Sequence, residues 1–247
     1  MKLYKKKTLL TLFIALTLHI VYAQKTVLPI QTDRWFMQPD GSITWTIKDR
    51  LPHADNIEMS GEKVSLWVGY GIDTARVSKI TRTIVFPTFR MLPDDTRSFI
   101  AYTFNDDELP RMYINSQLLR TDISKPDEAG SLVFQVKRIN QHGIMRISAQ
   151  AGNPNLVKIE RSLFPSVDKP LAIEKFEFTN ISSKPVTVSM EHLKREVTTD
   201  TIRSKSSPHT VIMESVNDGS KILQPGQSTA FAVCYLATDH PSSPMLI

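Results

Sequence analysis

Residues 63–70 read KVSLWVGY, and the alternation within them decides the fold. Val64, Leu66, Val68 and Tyr70 fall on one side of an extended chain and Ser65, Trp67 and Gly69 on the other, the period-two pattern of a half-buried β-strand. Residues 42–47, SITWTI, repeat it, with Ile43, Trp45 and Ile47 on one face and threonines on the other. Comparable runs follow over residues 78–86, 98–104, 131–136, 143–149, 156–164 and 171–178. Between them stand turn signals, among them Pro39-Asp-Gly41, Ser60-Gly61, Pro93-Asp-Asp95 and Asn140-Gln-His-Gly143. β-branched and aromatic residues fill the runs, and no segment of helical length sustains a 3.6-residue period. EHLKRE, residues 191–196, stays open between a turn of helix and a polar strand. FEFTNISSKPVTVS, residues 176–189, reads as strand, polar turn, strand; Pro225-Gly226 is a turn feeding an alternating strand over 228–233. Many short strands with frequent turns predict an all-β chain, an antiparallel β-sandwich.

The ends bound the compartment and the charge. MKLYKKK is followed by the uncharged TLLTLFIALTLHIV and by Val21-Tyr22-Ala23, which together describe a secretory signal peptide over residues 1–23. A membrane anchor is the rival reading, but the uncharged stretch from Thr8 to Gln24 is at the short edge of the roughly 20 residues a spanning helix needs. The expectation is therefore export to the periplasm or the cell exterior, with no membrane association after cleavage. A sandwich domain is expected over 24–236, with ATDHPSSPMLI at its end reading as the start of a linker over 237–247. The leader holds four lysines and no acid, so 30 basic against 25 acidic residues becomes 26 against 25 in the mature chain. A near-neutral chain without a basic stripe is a poor match to nucleic acid. The single cysteine, Cys234, forms no internal disulfide and lies in TAFAVCYLA, where a buried inert thiol is expected.

Chemistry-bearing groups crowd most densely in DRLPHADNIEMSG, residues 49–61. Asp49, Asp55 and Glu58 could supply a carboxylate pair for glycoside cleavage, which needs the two groups about 5–9.5 Å apart. Pro52 and Asp55-Asn56 equally make this stretch a polar connection, with a strand beginning at Ile57. Trp67 breaks the pattern of its strand, facing away from the apolar side. It either packs under a second layer or offers a flat aromatic surface between small residues, suited to stacking a sugar ring or docking a neighbour. Trp35 is a second candidate platform. The chain carries no G-x-S-x-G, no phosphate-binding glycine loop and no metal-ligand spacing, so neither cofactor nor metal is expected. Asn180-Ile-Ser182 matches a glycosylation acceptor, a pattern common by chance.

Asp55-x-Ile57-Glu58-Met59-Ser60-Gly61, the Val64-Ser65 strand with Tyr70-Gly71, and Arg82-Thr-Ile-Val-Phe-Pro87 before Arg90 and Pro93 carry a resemblance. Over roughly residues 31–235 the chain resembles the N-terminal sandwich of secreted Bacteroidota six-hairpin glycosidases of the glycogen-debranching-like or rhamnosidase-like kind. The resemblance implies a supersandwich-like fold packed against a helical barrel that supplies the catalytic carboxylates, whether in the same or a separate chain. It implies a non-catalytic module of an exported glycoside hydrolase, here without the barrel, and no catalytic residue within this chain. Asp49, Arg50, His53, Asp55, Glu58 and Trp67 are then interface or ligand residues, with a barrel or a glycan as partner. A free-standing carbohydrate-binding module and a small hydrolase using the loop carboxylates remain as alternatives.

Overall fold

A computed structural model describes residues 34–48, 51–90, 92, 95, 98–121, 130–152, 156–198 and 209–238, and every element below lies in the unit Trp35–Ile247. The expected signal peptide, Asp49, Arg50 and the tail from residue 239 lie outside the described residues.

Strand follows strand: β1 (Phe36–Met37), β2 (Ile43–Thr46), β3 (His53–Ser60), β4 (Ser65–Ile72), β5 (Ser78–Arg90) and β6 (Phe99–Asn105). After a 3-10 turn at Asp106–Glu108 come β7 (Met112–Ile114), β8 (Gln117–Arg120), β9 (Leu132–Val133), β10 (Gln135–Gln141), β11 (Met145–Ala151) and β12 (Val157–Pro165). The series closes with β13 (Leu171–Asn180), β14 (Val186–Met190), β15 (Lys194–Thr198), β16 (Thr210–Val216), β17 (Gly219–Leu223) and β18 (Ser228–Thr238). β18 runs past the boundary expected at 236.

They form three sheets. One has nine strands in the order β1-β2-β10-β11-β12-β13-β18-β16-β15, one has five in the order β17-β14-β7-β8-β9, and one is the meander β3-β4-β5-β6. All pairings are antiparallel except β8 with β9. The inner faces of all three meet in one apolar cluster containing Val68 and Ile84 of the meander, Ile114 and Val188 of the five-stranded sheet, and Ile159, Phe176 and Phe231 of the large sheet. The expected sandwich is what the chain builds. Val64, Leu66, Val68 and Tyr70 are all buried, as their alternation requires, whereas Ile43 reaches the surface near the β1 edge.

Several local expectations change. Residues 53–56 are not part of a loop but the start of β3, because pairing with β4 continues from Ser60↔Ser65 to His53↔Ile72. EHLKRE contributes to strand β15, paired with β16 at the rim of the large sheet. The two segments of 176–189 do not pair with each other: β13 lies between β12 and β18, while β14 lies between β17 and β7, so the polar turn carries the chain between sheets. Asn180 sits at that crossing and is buried; its amide donates to the carbonyls of Lys184 and Leu223, and its Oδ1 accepts from Ser182. It ties the crossing together and is inaccessible to glycosylation in the folded chain.

The β3–β4 turn is fixed to the β12–β13 turn by contact of bare backbone. Glu62 N–H donates to Val167 O at 2.8 Å, and a Cβ on Gly61 would lie 1.9 Å from the carbonyl oxygen of Ser166. Only the absence of a side chain permits this approach. Gly61→Ala should therefore destabilise the fold by about 2–3 kcal/mol, read as a lowered denaturant midpoint, whereas Glu62→Ala, at an exposed side chain, should change it by less than about 0.5 kcal/mol.

Candidate functional site

Alternation along β3 separates the residues that the sequence crowds together. Asp55 pairs with Tyr70 and Glu58 with Trp67, so the two carboxylates leave opposite faces of the strand. Asp55 is exposed and accepts from the Asn56 amide at 2.8 Å; Glu58 is exposed and accepts from Ser60 Oγ at 3.4 Å. They do not form an acid and base pair across a shared cleft. His53 turns inward, edge-on to Trp45 with ring centroids 5.1 Å apart and 6.0 Å from Tyr70. Trp35 joins the same aromatic group, 6.0 Å from Trp45 and 6.5 Å from Tyr70, and is half-buried, so it is core packing and no open platform.

Acidic and basic groups do converge deep between the meander and the large sheet. Arg82 of β5, Arg161 of β12, Glu174 of β13 and Asp106 of the 3-10 turn are buried together. Asp106 Oδ1 accepts from both guanidinium groups, and Arg161 Nε donates to Glu174 Oε1. Arg82 Nε lies 2.9 Å from Glu174 Oε2, which also accepts from Tyr235 Oη at 2.7 Å. Ile80 N–H donates to the second Asp106 oxygen at 3.0 Å, and the Arg161 guanidinium sits 5.2 Å from the centre of the Phe176 ring. Two cations and two anions leave the cluster neutral. Burial pushes the Asp106 carboxyl up, but Arg161 and Arg82 outweigh it and hold the group below the usual carboxylate range. Burial, then the Glu174 charge, raises the Tyr235 hydroxyl well above its ordinary value. With the side chains of all four charged members at most 1% exposed, no substrate reaches them. The cluster is a cross-link between sheets.

Two other arrangements with catalytic-looking composition resolve in the same direction. Asp218 Oδ2 accepts from Ser215 Oγ at 2.7 Å and lies 2.8 Å from His192 Nδ1. The Ser215 hydrogen bond first, then His192, lowers the Asp218 carboxyl. The serine thus donates to the acid and not to the imidazole, which is the wrong order for activating a hydroxyl. Cys234 is buried, and burial followed by the Glu214 charge pushes its thiol up to about 11, far from a reactive thiolate at neutral pH. Among the described residues no group of three or more His, Cys, Asp or Glu side chains is placed to hold a metal ion.

The outer face of the meander is different. Trp67 is 48% exposed there, flanked across the strands by Glu58 and Thr83. Thr83 in turn meets Thr103, their hydroxyls 2.7 Å apart. The next row reads Asn56, Gly69, Thr81 and Asn105, and the one after it Ala54, Gly71 and Lys79. A hollow of about 360 Å³ lies over this floor, its lining including Asp55, Asn56, Gly69, Gly71, Lys79 and Thr81. Past Gly71 it continues into a second hollow of about 370 Å³ bordered by Pro52, Ala54, Asp73 and Lys79. An exposed indole is thus followed by a low floor, with the Asn56 and Thr81 side chains close over Gly69, open backbone at Gly71, and a carboxylate and an ammonium group at the rim. Such a surface can stack a flat apolar ring face and hydrogen-bond its hydroxyls. Sequence singled out Trp67 but not Asn56, Thr81 and Lys79; the signal that finds them is their cross-strand register with Gly69 and Gly71.

No protein-family model matches the chain, and no curated protein matches it.

Glu174→Gln removes one anion from the sealed cluster and should destabilise the protein by about 3–5 kcal/mol. The pH dependence has a definite sign. Asp106 is depressed in the folded state, so its stabilisation is complete above the unfolded value of about 4 and is lost as pH falls through the folded one. The difference in denaturant midpoint between wild type and Asp106→Asn should be constant from pH 5 to 7, within about a tenth, and should narrow below about pH 4. Cys234 should resist a thiol-specific reagent at pH 8 until denaturant unfolds the chain.

Proposed function

We propose that this chain is a non-catalytic β-sandwich module of an exported carbohydrate-degrading glycoside hydrolase, holding glycan while a helical-barrel domain or separate chain cuts it. The observation that carries this reading is the outer face of the meander: Trp67 half exposed beside the low, polar-lined floor of Gly69 and Gly71. Aromatic rings on flat, polar-rimmed surfaces suit hydroxylated ring ligands, because one face of a pyranose is apolar and its edge is not. The separation of Asp55 from Glu58 and the sealing of Arg82, Asp106, Arg161 and Glu174 support binding without cleavage. The leader-like residues 1–23 support export, and the residues resembling the six-hairpin glycosidase sandwich support the association with carbohydrate.

Affinity electrophoresis of the mature chain through gels containing soluble plant and microbial polysaccharides tests it. Retardation on at least one glycan is expected, lost in Trp67→Ala, with no release of reducing sugar from any of them. Turnover abolished by Glu58→Gln would replace this reading with a hydrolase.

A further inference from the structure

Glycine in a strand interior weakens the strand, having no side chain to pack and more backbone freedom to lose. It is usually explained by a positive φ or by a close approach, and Gly71 has neither. Its φ is outside the left-handed range, and a Cβ built there would meet Ala54 Cβ at 3.9 Å and the carbonyl oxygens of His53 and Lys79 at 4.0 Å, ordinary contact distances. At Gly69 a Cβ would lie 2.6 Å from Thr81 Oγ1 and 3.0 Å from Asn56 Oδ1, the ends of two side chains that can rotate away. Asn56 and Thr81 close over Gly69, so the open backbone lies at Gly71, and what both glycines share is a low floor beside Trp67. Stability is given up along one line of the outer face, which stays low because neither position carries a side chain of its own.

That line has a length and a charge. Trp67, Gly69 and Gly71 follow one another along β4, spanning about 13–14 Å at the rise of an antiparallel strand, on the order of three pyranose rings. Lys79 lines the far end beside Asp73, Asp55 lines the hollow along the β3 edge, and Glu58 flanks Trp67. One cation against three anions disfavours a polyanionic chain, and Asn56, Thr81 and Lys79 offer donors and acceptors at hydroxyl height. A ring stacks closely on an indole only when its substituents lie in the ring plane, and successive rings stay on a straight floor only when the linkages keep the chain extended.

Resting on the reading of this module as a glycan binder, we propose that the trough takes an unbranched, neutral, extended chain of equatorially linked pyranoses. One ring lies on Trp67, and the following rings run over Gly69 and Gly71 toward Lys79.

Titration calorimetry with cellobiose, cellotriose and cellotetraose, and with the corresponding maltose series, tests the proposal. Wild type should bind the first series with affinity rising several-fold from the disaccharide to the trisaccharide, and bind the α-linked series at least about tenfold more weakly. Trp67→Ala should lose about tenfold or more on every member, the order of one aromatic stacking contact. Gly71→Ala, and more strongly Gly71→Val, should abolish the gain with chain length while leaving cellobiose within about twofold. Gly71→Ala fits the space present, so its thermal midpoint should equal or exceed that of wild type, and it carries the test if the valine disturbs the strand. A length dependence that survives both variants, equal binding of the maltose series, or binding untouched by Trp67→Ala overturns the trough proposal alone if glycan is still bound. Absence of binding to both series overturns the trough proposal; absence of retardation across the polysaccharide panel overturns the module's glycan-binding role as well.

Discussion

The two-by-two charge cluster of Arg82, Arg161, Asp106 and Glu174 sets the terms for the rest of the structure. It links the centre of the meander to β12 and β13 of the large sheet across the core. Apolar packing is non-directional and accepts neighbouring registers, whereas a buried guanidinium must meet its carboxylate at hydrogen-bonding distance. A slip of β5 by one residue would carry Arg82 to the outer face and leave Asp106 and Glu174 with uncompensated charge. The cluster also draws in the Ile80 amide and the Tyr235 hydroxyl, so five separate segments answer to one arrangement. Gly61 adds a second restraint at the end of the same meander, where backbone touches backbone.

Fixing the inner face has a direct consequence outside. Because side chains alternate along a strand, placing Leu66, Val68 and Tyr70 in the core and Arg82 in the cluster obliges Trp67, Gly69, Gly71, Thr81 and Thr83 to face outward in register. The outer surface of the meander is thereby built on a floor held from beneath, which sets the spacing of the side chains there. A binding surface on rigid strands needs less ordering when a ligand arrives than one on loops. This is the physical sense in which a structural salt-bridge cluster and an exposed tryptophan belong to one design.

Much of this was legible along the chain. Period-two runs identify β4 and much of the large sheet, and the buried residues Val64, Leu66, Val68 and Tyr70 are those the alternation selects. The charge cluster was legible in principle: Ile80-x-Arg82-x-Ile84, Ile159-x-Arg161-x-Leu163 and Ala172-x-Glu174-x-Phe176 each put an ion on an apolar face. A charge in such a position signals a buried partner, although it does not say which. Less legible were β3 and β15, whose polar sequences carry no clear alternation because both stand at sheet edges with little to bury. The crossing at Asn180 was hidden for another reason: strand, turn, strand reads the same whether the second strand returns beside the first or enters another sheet.

The sequence by itself determined the class of the fold, the inner and outer sides of its best-patterned strands, and the anomaly of Trp67, because each depends only on a residue and its near neighbours. Tertiary structure decided what lies beside what. It parted Asp55 from Glu58, three residues apart in the chain, and joined Asp106 to Arg161, 55 residues apart. It also aligned Asn56 and Thr81 on either side of Gly69. Cross-strand register depends on the simultaneous satisfaction of distant contacts, and no local pattern along the chain records it.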